Sequence, residues 1–241
     1  MDATPTRLSS AIFATKASIL RAKRAIEDVA HPIPHHQIVP QPTLPLTAAQ
    51  SITPLWTDSN PAEQWYQHGK VENLRLAALS LNGLFLPAGQ TFSFWRQVGK
   101  ATARKGYLPG RMLQEGCMIP AIGGGLCQLS NALYQIALDS GCEIVERHRH
   151  SRTVPGSATA AGRDATVSWN YVDLRFRPAV DMQLAVELTA DHLIVALRSS
   201  VPTRSPLPAH ESLPGHPIGN DHACDTCGAT GCFRKHSPPQ N

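Results

Sequence analysis

Gly123-Gly124-Gly125-Leu126-Cys127-Gln128 sets a cysteine just behind three glycines, at the head of a segment with helical periodicity. Glycine lets a backbone turn sharply and approach another group closely, since no Cβ stands in the way. A helix start adds N–H groups and a partial positive charge, which favour a thiolate and hold an oxyanion. Cys127 is therefore the candidate nucleophile. Acyl transfer by a thiol also needs an imidazole to move protons and an acid or amide to fix that imidazole. Downstream, Ile144, Glu146, His148 and His150 recur with period two, so in an extended chain both histidines lie on one face. Asp164 opens the next extended stretch and shares its face with Thr166, Ser168 and Asn170. Cys127, His148 or His150, and Asp164 make up the candidate catalytic set. The competing reading makes Cys127 a small buried residue at a tight turn.

A second chemical cluster stands near the C-terminus, where Cys224, Cys227 and Cys232 follow C-x2-C-x4-C spacing with His236 four positions on. Paired thiolates in glycine-containing turns wrap a tetrahedral ion, so zinc is the first expectation, with an iron–sulfur cluster as the alternative.

The elements that position the first cluster read as α+β. Leu129, Leu133, Ile136 and Ala137 give a helix behind Cys127 that stops at Ser140-Gly141. The pattern places another helix over Asn73–Leu86 and strands over Thr91–Trp95, Arg111–Ile119, Cys142–His150 and Asp164–Phe176, with a hairpin from Met182 to Leu197. An antiparallel sheet with the cysteine helix packed centrally on it is the expected fold. Helix-borne cysteine, strand-borne histidine and strand-borne aspartate occur in the same order in the core of papain-like and transglutaminase-like enzymes.

Arg7–Asp28 reads as a peripheral helix with a thin apolar stripe. The stretch His31–Leu55 carries Pro32, Pro34, Pro40, Pro42, Pro45 and Pro54, which forbid helix and central strand and predict an extended connector with His35 and His36 solvated. The divisions are thus 1–55, an N-terminal helix and proline-rich arm; 56–200, the domain; and 201–241, a tail rich in Pro and His that holds the cysteine cluster.

A net charge of +4 over 241 residues, with basic residues scattered, argues against nucleic acid as a partner. No apolar run approaches the roughly 20 residues of a transmembrane helix, and no secretory leader is legible, so the expected location is cytoplasmic. Six cysteines in this length do not form a disulfide scaffold.

Several ordered blocks resemble the VanW family. They are Leu86-Pro87-Ala88-Gly89-Gln90-Thr91-Phe92-Ser93-Phe94-Trp95, Val98-Gly99, Lys105-Gly106-Tyr107, Gly123 to Leu129, Glu146-Arg147-His148-Arg149-His150-Ser151, Gly162 to Val167, and Asp173-Leu174-Arg175-Phe176. The resemblance runs from about Asn73 to Arg177 and leaves the C-terminal cysteines outside. It implies a bacterial protein associated with cell-wall metabolism and vancomycin resistance, and it places cysteine, histidine and aspartate in the family signature. It also makes Gly124, Gly125, Gln128 and Arg147 candidates for holding substrate.

The leading expectation is a cysteine-dependent acyl-transfer or amide-cleaving enzyme on a peptide-like, cell-wall-related substrate. One alternative is a ligand-binding module without chemistry. Another is a metal-linked protein that meets a partner protein through its tail.

Overall fold

The computed structural model describes residues 7–39, 43–58, 60–114, 117–149 and 162–203. His150 and the cysteine cluster with His236 lie outside them. The elements follow in the order α1 (Arg7–Ala30), β1 (Leu46–Pro54), α2 (Gln64–Leu79), β2 (Phe85–Leu86), β3 (Phe92–Ser93), α3 (Phe94–Val98), β4 (Pro109–Gln114), β5 (Cys117–Ile122), α4 (Cys127–Asp139), β6 (Glu143–Glu146), β7 (Arg175–Arg177), β8 (Met182–Leu188) and β9 (His192–Ser199). Helices are mixed with antiparallel sheet: a four-stranded sheet in the order β1-β9-β8-β2, a three-stranded sheet β3-β7-β6, and the hairpin β4-β5.

The β8-β9 hairpin falls where alternation places it. Leu193, Val195 and Leu197 point into the core, and α4 packs across β9 and β1 with Leu129, Leu133 and Ile136 fully buried. Each such side chain contributes on the order of 2 kcal/mol of burial, which explains why the periodicity of α4 survives in the fold.

The proline-rich arm departs from expectation. Residues 46–53 contain no proline, so the chain between Pro45 and Pro54 is free to pair, and β1 joins the sheet along β9. It is an edge strand, the place where flanking prolines cost no ladder hydrogen bond. His36 is likewise not a solvated loop residue: it is buried, its Nε2 lies 3.1 Å from the Thr91 carbonyl oxygen, and burial lowers its pKa.

Four local readings also change. The expected single strand over Arg111–Ile119 is two antiparallel strands, β4 and β5, paired from Pro109 with Ile122 to Gln114 with Cys117. The strand expected over Thr91–Trp95 stops at Ser93, whose hydroxyl accepts the Arg96 N–H and caps α3. The long strand expected from Asp164 to Phe176 is interrupted by a turn over 169–171 that Ser168 and Val172 close, leaving only β7. Finally, α2 begins nine residues before Asn73, because Asn60 and Pro61 start a short 3-10 turn that runs directly into it.

Candidate active site

Cys127 is the first residue of α4, and Gly124 and Gly125 fit there for separate reasons. A Cβ on Gly124 would fall 2.3 Å from the carbonyl carbon and oxygen of Gly110, so two backbones touch at this point. Gly125 has φ +94°, which L side chains rarely adopt, and the stem of Lys70 lies where its Cβ would be. Asn73, fully buried on α2, holds the turn in place. Its amide donates to the carbonyls of Gly124 and Leu108, each at 2.9 Å, and its Oδ1 accepts the Leu108 N–H at 2.8 Å.

The half-buried sulfur of Cys127 lies 3.7 Å from Thr166 Oγ1 and 4.0 Å from the Val167 carbonyl oxygen. The first turn of α4 is tied to that same segment. Ser130 Oγ donates to the Ala165 carbonyl and Asn131 Oδ1 accepts the Ala165 N–H. Sequence reasoning placed Thr166 only on the polar face of Asp164, without a contact to the thiol, and assigned no role to Asn73. For Asn73 a signal existed: a polar side chain beside the apolar positions Leu74, Ala77 and Ala78 of one helix needs buried partners.

Arg147 and Asp164 are brought together. Arg147 donates to the Asp164 carbonyl oxygen (2.6 Å), its Oδ1 (2.9 Å) and the Gly162 carbonyl oxygen (2.8 Å), and its guanidinium lies 4.9 Å from the centroid of the Tyr134 ring. The Asp164 side chain is only 3% exposed, so this pairing compensates a buried charge. The His148 carbonyl accepts the Thr166 N–H at 2.9 Å, so the 147–148 segment lies along the one that touches the thiol. The His148 ring turns to Glu146, with Nε2 3.0 Å from Oε1, and no hydrogen bond joins it to Cys127 or Asp164.

Glu146 also receives both terminal nitrogens of Arg24 from α1, at 2.7 and 2.6 Å. Burial pushes the Glu146 carboxyl up, but the Arg24 and His148 hydrogen bonds and the Arg24 and Arg175 charges outweigh it and hold the pKa below its ordinary value. Gln128 points its amide to Thr53 Oγ1 and the Pro54 carbonyl, both at 2.9 Å, and so fastens α4 to the end of β1. Within the first turn, the N–H groups of Gln128, Leu129 and Ser130 return to the carbonyls of Gly125 and Leu126. Those three amides are therefore engaged, and an oxyanion would need other donors.

The sequence profile of the family described as VanW like protein matches residues 69–198, more than half of the chain. The protein belongs to the VanW family. Within VanW proteins, it is 35% identical over 158 residues to the vancomycin B-type resistance protein VanW of Enterococcus faecalis (strain ATCC 700802 / V583), covering 64% of this chain and 58% of that one. It is 34% identical over 130 residues to the uncharacterized protein YoaR of Bacillus subtilis (strain 168), covering 53% of this chain and 42% of that one. The chain thus spans about half the length of these two relatives. No solved structure matches it. The matched region holds Cys127, Arg147, His148 and Asp164, while α1 and β1 lie before it. Among the described residues no group of three or more His, Cys, Asp or Glu side chains forms a metal site, and no helix is long and apolar enough to cross a membrane.

Proposed function

We propose that this VanW domain is a cysteine-dependent acyl-transfer or amide-cleaving enzyme acting on a peptide-like, cell-wall-related substrate, with Cys127 as nucleophile. One observation carries the reading: the Cys127 sulfur, at the start of a 13-residue helix, rests on Thr166 in a segment braced by Arg147 and His148. The vancomycin-resistance name of the enterococcal relative supports a wall-related substrate. In this scheme the thiolate attacks the substrate carbonyl carbon, the C–N bond breaks, and the amine leaves with a proton, which gives a thioester on Cys127. An amine or water then attacks the thioester and returns the thiol. The imidazole that moves the proton in this scheme is that of His148 or His150. Helix cysteine, extended-chain histidine and Asp164 would then parallel papain-like and transglutaminase-like enzymes, with Asp164 also steadied by Arg147.

The test is incubation with wall stem peptides. Cys127→Ser and Cys127→Ala are expected to lose turnover by about a thousandfold or more while the melting curve is retained. An acyl adduct should map to Cys127 by mass spectrometry. Cys142, whose thiol burial pushes up to about 12, should carry none. Unchanged turnover in Cys127→Ala would refute the nucleophile. Unchanged peptide affinity with no adduct in any variant would favour a binding module.

A further inference from the structure

Lys70 on α2 is placed against the turn that presents the thiol, and its charge has little inside the protein to answer it. The Lys70 Cγ occupies the space over Gly125, 2.2 Å from where a Cβ would be, so its stem is pinned two residues before Cys127. Its Nζ makes one long hydrogen bond, 3.4 Å to Thr57 Oγ1. Among the described residues no ion pair is formed by Lys70, and Asp58 acts on it only through space. Thr57 stands three residues after Pro54, which Gln128 holds together with Thr53, so the ammonium and the first turn of α4 bond to the same stretch of chain. Trp56, 42% exposed, stands next to Thr57 with its ring edge-on to His68 at 5.1 Å.

We infer that Lys70 anchors a free carboxylate of the substrate beside Cys127, which narrows the substrate class to peptides bearing a carboxylate near the reacting acyl group. This rests on the thiol-enzyme reading above. The physical reason is that an ammonium with one long hydrogen bond and no ion pair among the described residues has donors left for an anion, and a charge-assisted bond to a carboxylate is stronger than a neutral one. Partial burial of the side chain lowers the Lys70 pKa to about 8 despite the opposing pull of Asp58.

The test measures alkylation of Cys127 in the full chain by anionic iodoacetate and neutral iodoacetamide, read by peptide mass spectrometry. The iodoacetate-to-iodoacetamide rate ratio should fall about threefold or more in Lys70→Gln and hold in Lys70→Arg. An unchanged ratio in a folded Lys70→Gln overturns the inference. In the unaltered protein, N-acetylalanine should protect Cys127 from iodoacetamide better than N-acetylalaninamide does, and equal protection overturns the inference even if the variants fail to fold. These readouts do not require turnover, so Cys127→Ala remaining active would remove the enzyme reading and leave the Lys70 result standing.

Discussion

At the scale of single residues, the thiol site depends on side chains that never touch a substrate. Asn73 bonds three backbone groups of two loops, the Gly124 carbonyl and both the carbonyl and N–H of Leu108. Replacing Asn73 with Ala leaves the Gly124 carbonyl and the Leu108 N–H without that partner, while the Leu108 carbonyl keeps the Gly123 N–H, and such losses cost about 1–3 kcal/mol each. Asn73→Ala is therefore expected to lower stability by about 3 kcal/mol in urea unfolding and to raise the exposure of Cys127 to alkylation. Asn73→Asp should recover only the Leu108 N–H. A loss below about 0.5 kcal/mol would mean that the loops are held by other contacts. The candidate residues were legible here as residue types. Their partners were not: nothing near Asp164 in sequence marks Arg147 as its counter-ion, and nothing near Cys127 marks Thr166.

At the scale of elements, α1 is attached chiefly by charge. Arg24 meets Glu146, Asp28 meets Arg175, and Arg21 donates to the Trp169 carbonyl and lies over Tyr171. On its other side Ile19, Ile26 and Val29 are exposed. The apolar stripe read from the sequence is not the face that packs: Ile19 and Ile26 are exposed, and of the α1 side chains described only Ala17 is buried. Because Glu146 titrates below its ordinary value of 4.5 in the folded protein, the unfolded chain binds more protons in that range. Its stabilising contribution is therefore present above about 4.5 and lost as pH falls through the lower folded value. Hydrogen exchange should show α1 protected at neutral pH and released as the solution is acidified below about 4.5, with about 1 M NaCl weakening the attachment. Glu146→Gln should loosen α1 at neutral pH and remove this acid step. Protection of α1 that ignores both pH and salt would contradict charge-held docking. The three strands of the sheet that α1 rests on were legible in place but not in length. β3 and β7 are only two and three residues long, shorter than the alternation suggested, and they persist because Phe92 and Phe176 stack at 4.6 Å inside the core.

At the scale of the whole molecule, the arm, the domain and the tail carry different kinds of information. We propose that Cys224, Cys227, Cys232 and His236 bind zinc, a reading that rests on spacing alone. Metal analysis of the full chain should find about one zinc per chain, and truncation after residue 203 should abolish it without altering the melting of the VanW domain. Metal retained by the truncated chain would place the site elsewhere. The sequence by itself determined the family, the helix behind Cys127, the β8-β9 hairpin and the residue types of the candidate site, because periodicity and signature blocks are local properties of the chain. Only the tertiary structure decided that β1 closes an edge of the sheet, that His148 faces Glu146, that Asp164 pairs with Arg147, and that Lys70 lies on Gly125. Those are choices between partners far apart in the chain, and they are settled by which buried charges and backbone groups find compensation when the layers pack.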